Sequence, residues 1–215
     1  MHPLLHEPAL LAPGDRMSGE EFAEFIDGVH MPSPLSGRHS TWRIAAILLP
    51  GRSARKTRVC EALSEPACPM LDGSSQPDCL MYILPKHGGL MKVNYRDLLT
   101  GRPELATEIR VSSRPYELRP KLDHYPRSGV PDHLTILVEE EPFEWRVLSR
   151  GSYRLMKPAE NGSFRTNIFS GPWIDEAAFW REDADRLEAV LDKGLASAEH
   201  RRFLETLPGP QEGGL

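Results

Sequence analysis

Gln76-Pro77-Asp78-Cys79-Leu80-Met81-Tyr82-Ile83-Leu84-Pro85 and Pro103-Glu104-Leu105-Ala106-Thr107-Glu108-Ile109-Arg110-Val111-Ser112 decide the fold. The first stretch is an apolar run opened by an acid and closed by Pro85 and Gly88-Gly89, so it reads as a buried strand with Asp78 at its mouth. The second alternates strictly: Leu105, Thr107, Ile109 and Val111 point one way, and Glu104, Ala106, Glu108 and Arg110 point the other. A strand with two acids on one face turns that face to water or to a metal.

Beyond these strands, Leu118, Leu122 and Tyr125 mark the buried stripe of a helix with Lys121 beside it. Pro120 is tolerated there only in the first turn, and Pro126 and Gly129 end the segment. Residues 133–138 and 143–148 read as successive strands joined at the turn Glu139-Glu140-Glu141-Pro142. Residues 153–156 and 164–169 are candidates to extend the sheet. From Asp175 the chain reads as helical, with Leu187, Val190 and Leu191 on an apolar face that Gly194 breaks, and a last helix from Ser197 through Leu204.

Towards the N-terminus, residues 1–15 are Pro-rich and read as a loose lead-in. Ser18 with Glu21 has the spacing of a capping box opening a short helix, which Asp27-Gly28 turns. A strand is expected near Glu24, and Met31-Pro32-Ser33-Pro34 reads as extended. Trp42, Ala45, Ala46 and Leu49 recur at helical spacing, giving a helix stopped by Pro50-Gly51. Ile44, Ile47 and Leu48 make that stretch apolar nearly all round, which leaves a buried strand as the other reading. Residues 61–77, with Pro66, Pro69 and Pro77, read as irregular. The order of elements predicts an α/β or α+β domain with a mixed central sheet flanked by helices over residues 16–174, a helical extension over 175–207 and a frayed tail over 208–215.

The 215 residues, 40% hydrophobic and 27% charged, have the composition of an ordinary soluble protein with a substantial core. A formal net charge of −5 argues against a protein that coats nucleic acid through many lysines and arginines. It allows local basic contact, and Arg52, Arg55, Lys56 and Arg58 form the densest basic cluster. Arg55 and Lys56 are candidates to touch phosphate, the alternative being a solvated basic turn. No apolar stretch reaches membrane-spanning length and no signal peptide is evident, so a cytoplasmic location without membrane partners is expected. Cys60, Cys68 and Cys79 show no CxxC pairing and read as reduced thiols. His87 reads as a turn residue, His124 as a solvent-facing one, the four tryptophans as packing residues, and Glu104 as structural.

Asp78, Glu108 and Lys121 form a chemically coherent set. Hydrolysing a phosphodiester at neutral pH calls for a divalent ion to activate water and offset charge on the phosphate. Mg²⁺ takes hard oxygen donors, one or two of them carboxylates, and a lysine can orient the water or stabilise the phosphate. The other reading of the same residues is a strand-capping acid, an exposed strand acid and a solvated lysine.

Several pieces fall in order along the chain: Gly14-Asp15-Arg16-Met17 with Glu20-Glu21-Phe22, Ala23-Glu24-Phe25-Ile26-Asp27-Gly28, and Met31-Pro32-Ser33-Pro34 with His39. Then come Gln76-Pro77-Asp78 with Gly88-Gly89, Pro103-Glu104-Leu105 with Glu108 and Ser112-Ser113, and Tyr116-Glu117-Leu118 with Lys121 and Tyr125. Gly129-Val130 and Gly194-Leu195-Ala196-Ser197 with Glu199-His200 complete the set. In this order they resemble the Uma2-type, restriction-endonuclease-like family of the PD-(D/E)xK nuclease superfamily. The resemblance implies a restriction-endonuclease-like fold and a Mg²⁺- or Mn²⁺-dependent endonuclease acting on nucleic acid, DNA before RNA, with a homodimer as a fold-level expectation. It makes Asp78 and Glu108 metal ligands, Glu24 a further acid of the metal shell, and Lys121 a catalytic lysine moved from its usual place two residues after the glutamate. That usual place holds Arg110, which can stabilise phosphate charge but cannot serve as a base. The alternative is a nuclease-fold module with impaired catalysis that binds nucleic acid or a protein partner, suggested by the contracted segment before Glu24 and by Pro120 and Pro126 around Lys121.

Overall fold

A computed structural model describes residues 24–26, 29–31, 37–70, 73–93, 99–110, 115–139, 141–166 and 168–209. In chain order they form β1 (Glu24–Ile26), β2 (Val29–Met31), α1 (Gly37–Thr57), β3 (Cys60–Ser64), β4 (Cys68–Met70), β5 (Gly73–Ser75), β6 (Cys79–Ile83), β7 (Met91–Val93), β8 (Leu99–Gly101) and β9 (Leu105–Arg110). Then follow α2 (Pro115–Arg127), β10 (Asp132–Leu137), β11 (Phe143–Ser149), β12 (Ser152–Leu155), β13 (Ser163–Arg165), β14 (Trp173–Asp175), α3 (Glu176–Trp180), α4 (Ala184–Leu195) and α5 (Ala198–Thr206). The lead-in, the helix opened by Ser18, the extended 32–34, Val111 and the end of the tail lie outside the described residues.

A six-stranded sheet runs in the order β12-β11-β10-β9-β6-β3, with β9 and β10 parallel and the other pairs antiparallel. Its two central strands, β9 and β10, are buried along their whole length. Alternation sorts their side chains onto two unlike faces. Met81, Leu105, Ile109, Leu134, Ile136 and Trp145 line the apolar face, where Ala46, Leu49 and Ala54 of α1, Phe179 of α3 and Leu191 of α4 pack. The opposite face carries Ala106, packed with Tyr125 of α2 and Val130, and the polar residues described below. A second, four-stranded sheet runs β2-β1-β5-β4.

The helix expected to stop at Pro50-Gly51 continues to Thr57 with Pro50 inside it. An internal proline costs about 3 kcal/mol, for lack of an N–H and for its ring's clash one turn back. The ion pairs Arg52–Glu188 and Lys56–Asp192 are half exposed and worth at most about 1 kcal/mol each. Burial of Ala46, Leu49 and Ala54 against the sheet is therefore what carries the helix through. Tertiary packing overrules the local signal, and the strand reading of this stretch is excluded with it.

Other expectations are corrected too. Residues 61–77 are not irregular: β3 edges the large sheet, and β4 and β5 pair in the small one. The hairpin of β7 and β8 is additional. Of the candidates to extend the large sheet, β12 does so, whereas β13 pairs with β14 in a sheet of two. The break expected at Gly194 falls one residue later, α4 ending at Leu195 and α5 following its N-cap Ser197; Gly194 itself lies buried in the last turn of α4, where a Cβ would stand 2.1 Å from the Gly171 carbonyl oxygen and 2.7 Å from Trp173. Close approach, not flexibility, explains this glycine. Cys60, Cys68 and Cys79 are free and buried, and burial pushes each thiol up to about 12, which makes them inert packing groups.

Candidate active site

Glu108 stands at the centre of the polar face, with none of its surface exposed. Lys121 Nζ donates to its Oε2 at 2.8 Å, Arg110 Nη2 donates to the same oxygen at 2.9 Å, and Tyr125 Oη donates to Oε1 at 2.6 Å. Strand alternation puts Arg110 beside Glu108, and the one-turn spacing of Lys121 and Tyr125 brings both down from α2 onto one carboxylate. Lys121 is 2% exposed, so it lies within the buried stripe and not beside it. Pro120 falls at the sixth position of α2, beyond the first turn where it was expected, and the helix still runs on to Arg127.

Asp78 precedes β6. Cys79 pairs with Thr107 in the antiparallel register, and the next step of that register sets Asp78 across from Glu108. Its Oδ2 accepts the Ile109 backbone N–H at 2.8 Å, while Oδ1 lies 4.0 Å from Arg43 Nη1. Arg43, on α1, also pairs with Glu65. Two carboxylates thus oppose one another across neighbouring strands, each already engaged by the protein.

The polar face continues across β10 and β11. Arg146 donates to Thr135 Oγ1 at 3.0 Å and pairs with Glu144. His133, fully buried, contacts the Tyr125 ring at 5.0 Å and stacks on Tyr153 at 5.8 Å. Burial first, then the fields of Arg146, Lys121 and Arg110, hold its pKa well below the ordinary histidine value, so the ring is neutral. His124 is buried, not solvent-facing. Glu104 lies at the head of β9 and accepts the Ile83 and Leu90 backbone N–H groups at 2.9 and 3.0 Å.

Glu24 lies on β1, whose Phe25 pairs with Ser74 of β5. The next step of that register brings the Glu24 backbone beside Ser75, whose hydroxyl contacts Tyr125 Oη at 2.7 Å; the Glu24 side chain lies outside the described residues. Arg55 and Lys56 are not brought to this cluster. They end α1 on the apolar side of the sheet, Lys56 in its pair with Asp192. Arg43, Ser75, His133, Thr135 and Arg146 were not picked out from the sequence. A cue existed in β10, where His133 and Thr135 alternate with Leu134 and Ile136 and so mark a second polar strand face.

Among the described residues no three His, Cys, Asp or Glu side chains cluster as a metal site. Mg²⁺ needs only one or two carboxylates, with water and substrate phosphate completing its shell. Asp78 and Glu108 are therefore donors of the right kind, but Glu108 Oε2 is held by two cations.

No family model matches the chain, and no curated protein matches it significantly. Among solved structures, it is similar to the crystal structure of a candidate nuclease belonging to DUF820 from Anabaena variabilis, with a TM-score of 0.61 at 15% identity over 77% of this chain and 93% of that one. At that identity the likeness is one of fold: a restriction-endonuclease-like mixed sheet flanked by helices. No helix among the described residues is long and apolar enough to cross a membrane.

Proposed function

We propose that this chain is a metal-dependent endonuclease of the Uma2 type that hydrolyses phosphodiester bonds of DNA. The observation that carries the reading is the convergence of Asp78, Glu108, Lys121 and Arg110 on one sheet face, from strands and a helix with no other evident reason to bury four charges together. Burying charge is costly, and a structural core of this size does not need it. The similarity of fold to a candidate nuclease supports the same reading.

On this reading Asp78 and Glu108 hold Mg²⁺ or Mn²⁺, with Glu24 assisting. When bound, the ion would supply charge neutralisation at the phosphate and Lewis acidity. Lys121 activates or orients the attacking water, and Arg110, always charged, steadies the phosphate oxygens. A cytoplasmic location and a two-fold dimer go with the reading. The test is Mn²⁺-dependent cleavage of a DNA duplex by the wild type and by Asp78→Ala; cleavage that survives the substitution sinks the assignment.

A second reading is favoured by one observation. Every polar oxygen of Glu108 is engaged, and Asp78, Arg110 and Lys121 are each at most 6% exposed. A nuclease-fold module that binds nucleic acid or a protein without cutting would look like this. It predicts duplex binding in the absence of divalent ions and no cleavage at any Mn²⁺ concentration.

A further inference from the structure

Between Glu144 and Glu160 the chain carries Arg146, Arg150, Arg154 and Lys157 and no acid, against an overall formal charge of −5. That stretch holds most of β11, a two-residue turn and β12, at one edge of the large sheet. Ser149 pairs with Ser152, so Arg150-Gly151 is the whole turn. Both residues have positive φ, 51° and 80°, as a primed hairpin turn requires. Asn, Asp and Gly suit the first of these positions, and arginine does not. Turn geometry gives no reason for an arginine there; its exposed charge is what remains.

The hairpin faces α2 across a cleft of about 590 Å³, lined from α2 by Pro126 and Arg127 and from the hairpin by Arg146, Gly151 and Tyr153. Asp123 is the acid in this lining, against two arginines. The cleft opens on the side of the sheet that carries Glu108: Thr135, to which Arg146 donates, faces Glu108 in the parallel register. Strands β9 and β11 stand two strand spacings apart, about 10 Å, which is about three nucleotides of duplex rise. Arg55 and Lys56, by contrast, lie on the far side.

The frame of the cleft is fixed. Tyr153 Oη donates to the Val130 carbonyl at 2.9 Å, its ring stacks on buried His133, and Thr135 and Glu144 hold Arg146. Arg150 and Arg154 are exposed and make no ion pair among the described residues. A Cβ built on Gly151 meets nothing within 4 Å, so the turn is open to approach.

Resting on the nuclease reading above, we propose that the β11–β12 hairpin and the end of α2 form the surface that holds the phosphodiester backbone of the nucleic acid. Arg146 and Arg127 in the cleft and Arg150 at the turn contact its phosphates. Planar guanidinium forks fit phosphate through paired hydrogen bonds, and an arginine on a fixed frame gives up little freedom in making them. Such contacts carry no base sequence; they set where the backbone lies relative to Glu108. Local concentration of cations reconciles a phosphate-binding surface with a chain of net negative charge.

The experiment is binding of a labelled DNA duplex to the full chain by fluorescence anisotropy across a KCl series, in EDTA and again with Ca²⁺. Wild type, Arg127→Gln/Arg150→Gln and Arg55→Gln/Lys56→Gln are compared, each checked for folding by circular dichroism. The hairpin double variant is expected to reduce the slope of log affinity against log salt by about two, roughly one per lost phosphate contact, and to weaken duplexes of unlike sequence equally. Arg150→Gln alone, at an exposed turn position, carries the test with a slope change of about one if the double variant does not fold. DNA and RNA share this backbone chemistry; a parallel RNA duplex shows which is held more tightly, and the same loss on either supports the surface. An unchanged slope in the hairpin variants, or a loss confined to Arg55→Gln/Lys56→Gln, overturns the proposal; the nuclease reading then still rests on Mn²⁺-dependent cleavage by the wild type. Loss of binding to phosphatidylserine vesicles with duplex binding intact makes the surface a membrane contact and overturns it too. No duplex binding by the wild type in either condition overturns both.

Discussion

Tyr125 and Glu108 are joined by a buried hydrogen bond of 2.6 Å in which the phenol donates to Oε1. A phenol has one proton, so in the 2.7 Å contact between Tyr125 and Ser75 the serine is the donor. The relay runs from β5 through α2 to β9 and ties the small sheet to the large one. Tyr125→Phe removes its middle link while keeping the packed ring. Loss of a buried hydrogen bond to a charged group is expected to destabilise the protein by about 2 kcal/mol, read from urea unfolding.

Removing Glu108 should hurt more than removing either cation. Glu108→Gln leaves Lys121 and Arg110 buried without the charge they share, whereas Lys121→Met leaves Glu108 with Arg110 and Tyr125. Breaking a buried ion pair by removing one partner costs about 3–5 kcal/mol, and Glu108→Gln breaks two such pairs where Lys121→Met breaks one, so the expected order of stability is wild type, Lys121→Met, Glu108→Gln. Thermal unfolding of the three proteins checks it, and the reverse order would show that the carboxylate is itself a burden.

Asp132 predicts a pH dependence. It is buried at the start of β10 on the apolar side; its Oδ2 accepts from Trp145 and Thr166, and its Oδ1 has no hydrogen-bond partner among the described residues. Burial outweighs those hydrogen bonds and pushes its pKa up from 3.8 to about 6. Between those values the folded state holds a proton that the unfolded state has released, so stability falls as pH rises from about 4 to about 6 and is flat above. The loss is on the order of 3 kcal/mol. Asp132→Asn should lack this slope and be more stable than wild type at pH 7; urea midpoints of the two proteins at pH 4, 5, 6 and 7, taken as differences, measure it.

Gly194→Ala runs against helix propensity. Alanine is favoured over glycine within a helix by about 1 kcal/mol, yet the new methyl would sit 2.1 Å from the Gly171 oxygen, a backbone atom that cannot swing aside. Net destabilisation of about 1–3 kcal/mol is expected from overpacking. A variant as stable as wild type in chemical denaturation would show that β14 and α4 can move apart.

The central sheet was legible because its signals are local. The apolar run after Asp78 and the alternation around Glu108 announce β6 and β9, and the acidic turn announces the hairpin of β10 and β11. Asp78 at the mouth of β6, Glu108 and Arg110 on β9 and Lys121 on the helix that follows were picked out together with those elements. What failed depends on partners distant in sequence. The persistence of α1 through Pro50 rests on burial against the sheet, and the burial of Lys121 and His124 rests on what packs around α2. The packing role of Gly194 was hidden because the chain alone does not show Gly171 and Trp173 beside it. Arg110 was read as a phosphate contact; that it already has a carboxylate partner is a fact of packing.

The parallel step from β9 to β10 has a geometric consequence. Parallel neighbours cannot be joined by a tight turn, so the chain must cross over one side of the sheet, and α2 is that crossover. Crossovers of this kind are right-handed almost without exception, because strands of L-residues twist one way. Handedness therefore decides which side receives the helix. Had the loop closed in the mirror sense, Lys121 and Tyr125 would have landed among Met81 and Ile109, and Glu108 would have met no cation from above. The pairing of carboxylate and lysine thus traces back to the chirality of the amino acids as much as to the choice of those two residues.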